Sequence, residues 1–140
     1  MNQTRRAPAP PLAAPAPVRV LVADDEPRAR QFIERLLSEH SDLEIVGTAR
    51  GAAEALELTS RHTPDVVFLD IHMPDLSGLE VARQIVRERS GPLPHIVFVT
   101  AYDRYAVDAF EVAALDYVLK PLKRDRLPET VRRVVTEVRK

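Results

Sequence analysis

Apolar residues along this chain fall into two alternating kinds of segment. Short, nearly continuous apolar runs occur at VRVLVA (18–23), VVFL (66–69), IVFV (96–99) and YVL (117–119). They are rich in β-branched or aromatic residues and lack a regular polar alternate position, as parallel strands covered on both faces do. LEIVGT (43–48) has fewer apolar positions and suits an edge strand. Between these runs the spacing changes to i, i+3, i+4, i+7, at Ala29, Phe32, Ile33 and Leu36, again at Ala106, Ala109, Phe110 and Ala113, and again at Val131, Val134, Val135 and Val138. That period lays an apolar stripe along one side of a helix. Ala52, Ala55 and Leu56, and Val81, Ala82, Ile85 and Val86, supply two weaker stripes.

Five strands alternating with five helices predict a doubly wound parallel α/β sheet, (βα)5, because each crossover is right-handed and lays its helix on a sheet face. With the common strand order 2-1-3-4-5, a crevice opens outside the C-terminal ends of strands 1 and 3, where the winding reverses. Those two strands run into ADDEP and LDIHMP.

The length of 140 residues fits a single domain with its own core. The absence of cysteine excludes disulfides and thiolate metal sites, and is compatible with the reducing cytoplasm. Apolar runs of only a few residues are far short of a membrane helix, so a soluble chain with no membrane contact is expected. Residues 1–17 hold five of the twelve prolines and read as a disordered Pro/Ala-rich N-terminal tail ahead of a domain at 18–140. Without the two arginines of that tail, 18 basic residues face 21 acidic ones, a net charge of −3. That balance argues against a free-standing nucleic-acid binder. The basic residues from Lys123 to Lys140 read as the solvated face of the last helix.

Asp24, Asp25 and Asp70 would meet at the crevice, a costly crowd of like charges unless something positive sits among them. A hard divalent cation such as Mg²⁺ offsets that repulsion and leaves positions open for a phosphoryl group. Taken singly, each aspartate is better read as a helix cap or a strand end; all three together are not. A carboxylate can accept a phosphoryl group as a nucleophile when the transferred charge is neutralised. Asp70 suits that part as the single carboxylate closing the central strand, while the Asp24–Asp25 pair suits holding metal. Thr100 closes the fourth strand with a hydroxyl donor, and Lys120 closes the fifth with a compact ammonium.

These residues resemble the receiver domain of two-component response regulators, the CheY-like, flavodoxin-like fold. The likeness covers roughly residues 18–140 and is carried by DDEP, FLDIHMPDLSGLE, VFVTAY and DYVLKPL. It implies that Asp70 accepts phosphate from a sensor histidine kinase or phosphotransfer protein. It also implies that Asp25, Asp70 and the backbone carbonyl of His72 ligate Mg²⁺, with Asp24 acting through water, and that Thr100 and Lys120 contact the phosphoryl group. By the same likeness the Lys120–Pro121 bond is cis, and Tyr117 is a switch aromatic coupled to Thr100. Phosphorylation would bias the face made by helix 4, strand 5 and helix 5. Tyr105, Val107, Asp108, Val112 and Ala114 make that face apolar enough for a phosphorylation-linked homodimer.

The stretch from Thr100 to Leu122 looks most like receivers that precede LytTR-type DNA-binding domains, so contact with DNA is expected only through an output domain beyond this sequence. Three other readings compete. A phosphatase of the haloacid-dehalogenase type needs a second aspartate where His72 stands. A flavodoxin-like nucleotide binder needs a phosphate-cradling first loop, which DDEP would repel. A receiver-like module without phosphorylation is weakened by the intact acidic, threonine and lysine positions.

Overall fold

The computed structural model describes residues 15–88 and 91–140. Most of the expected tail lies outside the described residues. The strands are β1 (Val18–Ala23), β2 (Leu43–Ala49), β3 (Val66–Leu69), β4 (His95–Thr100) and β5 (Asp116–Leu119). The helices are α1 (Pro27–Ser38), α2 (Ala52–His62), α3 (Gly78–Arg87), α4 (Ala106–Glu111) and α5 (Leu127–Val138). All four strand pairings are parallel, in the order β2-β1-β3-β4-β5. The sequence-derived topology and the edge position of β2 are therefore observed.

The continuous apolar runs follow from burial on both sheet faces. Val20, Val22, Val66, Phe68, Val97 and Val99 point to one side, where Ile33, Leu36 and Leu37 of α1 and Val131 and Val134 of α5 meet them. Leu21, Ala23, Val67, Leu69 and Phe98 point to the other, against Ala52 and Ala55 of α2 and Val81, Ala82 and Ile85 of α3. Successive strand side chains alternate faces, so a strand sandwiched between two helical layers has no polar position to spare. Each fully buried Leu, Val or Phe contributes on the order of 1.5–3 kcal/mol.

Local signals set the helix starts. Pro27 opens α1, and the Glu26 side chain accepts the Arg28 and Ala29 backbone N–H groups. Ser77 caps α3 by accepting from the Glu80 N–H. α2 begins after Gly51, which has no side chain to cap with; the carboxylate of Asp75, from the loop after β3, accepts the Ala52 and Ala53 N–H groups at 3.0 Å each.

α4 departs from its sequence pattern. The spacing of Ala106, Ala109, Phe110 and Ala113 predicts a buried stripe, yet only Ala109 is buried and Phe110 is 84% exposed. The helix spans six residues, and Ala113 turns left-handed at φ 58°, so the stripe never reaches its i+7 position. Tyr105, Val112 and Ala114, expected on the outer face, pack partly buried on the core instead. Val107, at 71% exposed, stays out with Phe110.

Candidate phosphoacceptor site

The doubly wound order brings three acidic strand ends together. Asp24 and Asp25 follow β1, and Asp70 follows the neighbouring β3. One carboxylate oxygen from each lies within 4.8 Å of the other two. Asp24 is fully buried and Asp70 nearly so, while Asp25 is exposed. Lys120 leaves the end of β5 and reaches across, its Nζ donating to Asp24 Oδ2 at 2.8 Å and to Asp70 Oδ2 at 3.0 Å. The Lys120–Pro121 peptide bond is cis.

One ammonium thus serves two buried carboxylates. Burial pulls the Lys120 pKa down, but hydrogen bonds to Asp24 and Asp70 outweigh that and leave it above its ordinary value. Burial pushes the Asp70 pKa up; the hydrogen bond and charge of Lys120 oppose this without cancelling it, and the nearby Asp24 adds to the rise. Three carboxylates against one ammonium leave the cluster short of positive charge.

Backbone contacts fix the acids in place. The Asp70 N–H donates to the Ala23 carbonyl at 3.0 Å, and the Asp24 N–H donates to the Ala49 carbonyl at 3.0 Å. Asp24 Oδ1 accepts the Glu26 N–H at 2.9 Å, and its carbonyl accepts the Arg30 guanidinium at 2.8 Å. The His72 N–H donates to Asp70 Oδ1 at 3.3 Å, placing the start of the following loop beside the carboxylate. Gly78 closes that loop, its N–H donating to the Ile71 carbonyl at 2.8 Å.

Thr100 is fully buried at the end of β4 between the acids and β5, and its hydroxyl oxygen accepts the Tyr102 N–H at 3.4 Å. The Tyr117 hydroxyl donates to the Tyr102 carbonyl. The Tyr102 ring lies 4.3 Å from the His72 ring, and Tyr105 lies 5.4 Å from it. His72 is exposed yet not isolated, since it forms part of an aromatic cluster at the rim of the site.

The structure brings together Asp24, Asp25, Asp70 and Lys120, with His72 and Thr100 alongside and Tyr117 linked through Tyr102. Several supporting residues escape the sequence reading. Glu26 was partly discoverable, because the proline after it marks a helix start and acidic side chains favour that end. Arg30, Tyr102 and Asp75 act through contacts that no local spacing reveals.

Sequence relationships agree with this geometry. The response regulator receiver domain matches residues 20–132. An uncharacterized response regulatory protein of Yersinia pestis is 49% identical over 117 residues, covering 84% of this chain and 48% of that protein. The transcriptional regulatory protein BtsR of Escherichia coli strain K12 is 46% identical over 120 residues, covering 86% of this chain and 49% of its own. The chain spans about half the length of the curated relatives it matches. The response regulatory domain of protein mrkE from Klebsiella pneumoniae superposes with a TM-score of 0.79 at 35% identity, covering 86% of this chain and 98% of that one. With its sheet order, its acidic strand ends and these relatives in agreement, the chain belongs to the response regulator receiver domain family, whose members are signalling regulators of two-component systems.

Proposed function

We propose that Asp70 takes a phosphoryl group from the phosphohistidine of a sensor histidine kinase or phosphotransfer protein. A carboxylate oxygen of Asp70 bonds to phosphorus, the phosphorus–nitrogen bond breaks, and the imidazole departs with that electron pair. The observation that carries this reading is the Lys120 ammonium held against both Asp24 and Asp70, with Asp25 completing the acid cluster.

The donor set fits Mg²⁺. Three hard carboxylates converge, two of them buried, and a single ammonium leaves about two negative charges unbalanced. Asp25, Asp70 and the His72 carbonyl would hold the ion, with Asp24 acting through water. When bound, it supplies the positive charge that lets an anionic phosphoryl group approach an anionic carboxylate. The chain's own groups do the rest. Lys120 offers its ammonium to the incoming oxygens, and the Thr100 hydroxyl, whose oxygen accepts the Tyr102 N–H, offers its proton to one of them.

A phosphoryl group at Asp70 adds roughly two negative charges and three acceptor oxygens. Drawing the Thr100 hydroxyl toward it disturbs the Tyr102 backbone, on which the Tyr117 hydroxyl rests. The change then reaches the face of α4, β5 and α5 and favours a homodimer. The name of the Escherichia coli relative supports control of transcription as the output, with DNA contacted by an output domain rather than by this mildly acidic receiver. The setting in this reading is the cytoplasm, and no described helix is long and apolar enough to cross a membrane.

Acetyl phosphate with Mg²⁺ tests the acceptor. One added phosphoryl group, about 80 Da, is expected, with no gain in Asp70→Asn or without the metal. A gain that survives Asp70→Asn would place the acceptor elsewhere.

A further inference from the structure

The loop between β3 and α3 carries the His72 carbonyl, and three anchors hold it. Ile71 and Met73 are buried in the core beneath it. The hydrogen bond from the Gly78 N–H to the Ile71 carbonyl closes its base on the α3 side. The third anchor runs the other way: Asp75 Oδ1 and Oδ2 accept the Ala52 and Ala53 N–H groups, tying the loop to the start of α2.

This capping arrangement is an unusual choice for the helix alone. A Ser or Asp at position 51 would cap α2 from within its own segment. Gly51 leaves the cap to a residue more than twenty positions away, and it makes room for it. A Cβ on Gly51 would lie 3.2 and 3.3 Å from the two Asp75 carboxylate oxygens. The segment leading into α2 is itself referenced to the acid cluster, because the Ala49 carbonyl accepts the Asp24 N–H. Asp75 therefore closes a circuit from Asp24 through Ala49 and the α2 start to the loop beside Asp70.

We propose that Asp75 is a positioning residue for the magnesium site, holding the His72 carbonyl in register with Asp25 and Asp70. The proposal rests on the magnesium reading of the acid cluster. Groups that orient metal ligands without touching the ion alter affinity by about 10- to 100-fold when removed.

The test is Mg²⁺ titration of the unphosphorylated full chain by calorimetry, alongside urea denaturation, for the unsubstituted protein, Asp75→Ala, Asp75→Asn and the double variant Gly51→Ser/Asp75→Ala. Asp75→Ala should weaken Mg²⁺ binding by roughly tenfold. Asp75→Asn, which keeps one acceptor oxygen, should recover part of it. Both variants lose the same charge, so equal weakening would trace the effect to remote electrostatics and overturn the proposal. In the double variant the new hydroxyl at position 51 should restore stability while affinity stays low. Affinity restored together with stability, or unchanged in Asp75→Ala, would also overturn it. Failure of the unsubstituted protein to bind Mg²⁺ would sink the underlying reading as well, and so is distinguishable from a failure confined to Asp75.

Discussion

Gly78 stands against the backbone of Asp70 so closely that a Cβ built on it would lie 2.1 Å from the Asp70 carbonyl oxygen. Alanine is the better helix former by about 1 kcal/mol, but here it meets main chain that no rotamer change can move aside. We expect Gly78→Ala to cost a net of roughly 1–3 kcal/mol in urea denaturation and to slow labelling of Asp70 by acetyl phosphate. A variant as stable as the parent would show that this contact yields easily.

The Lys120 ammonium is shared by two carboxylates that cannot reach bulk water freely. Removing one partner of a buried ion pair costs about 3–5 kcal/mol, and the partial exposure of Lys120 argues for the lower part of that range. Lys120→Met should therefore lose about 3–4 kcal/mol at neutral pH without Mg²⁺. Adding Asp24→Asn should recover much of the loss, and thermal denaturation of the four members of that cycle measures the coupling.

Asp70 bears the opposite burden, since burial and the neighbouring Asp24 disfavour its charge. Asp70→Asn keeps the shape and removes the charge. It should raise the melting midpoint in Mg²⁺-free buffer by roughly 3–5 °C, the response of a chain of this size to about 1 kcal/mol. Saturating Mg²⁺ should shrink or reverse that difference, because the parent retains all three carboxylates of the proposed metal site. A lower midpoint in Mg²⁺-free buffer would contradict the charge crowding.

The hydrogen bonds that Asp75 accepts from Ala52 and Ala53 hold its carboxyl below the usual carboxylate range. A group whose pKa is lowered by folding contributes stability above its unfolded value and loses it as the pH falls through the folded one. The gap between the parent and Asp75→Ala should stand near 1 kcal/mol from pH 8 to pH 5. It should close below about pH 4. Denaturation at a series of pH values checks it, and a gap that widens on acidification would refute the cap.

Phe110 and Val107 project into solvent from α4, so replacing them removes little packing. Phe110→Ser should change stability by no more than about 0.5 kcal/mol while weakening any dimer formed on phosphorylation. Sedimentation of the phosphorylated parent and variant at equal concentration decides this, and identical association would clear the α4 face of that role.

The sheet and the residues that converge on the candidate site were readable from sequence because their signals are local. A run such as VVFL can be buried on both sides only in the middle of a layered sheet, and Asp70 directly after it falls at the crevice. α4 was misread because periodicity says nothing about where a helix stops. Phe110 lies on the expected stripe, but the left-handed turn at Ala113 leaves the helix too short to bury it. Asp75 was read only as part of the loop motif, since its partners, Ala52 and Ala53, precede it by more than twenty residues and offer backbone groups rather than side chains.

The carboxylates at positions 24 and 70 find their shared ammonium 96 and 50 residues further along, past the end of a different strand. No fragment that stops short of Lys120 can assemble that trio, and neither can a half-folded intermediate in which β5 has yet to dock. Under the proposed function, competence to be phosphorylated would double as a certificate of correct assembly: a copy in which β5 has not docked still carries Asp70 but lacks the ammonium beside it.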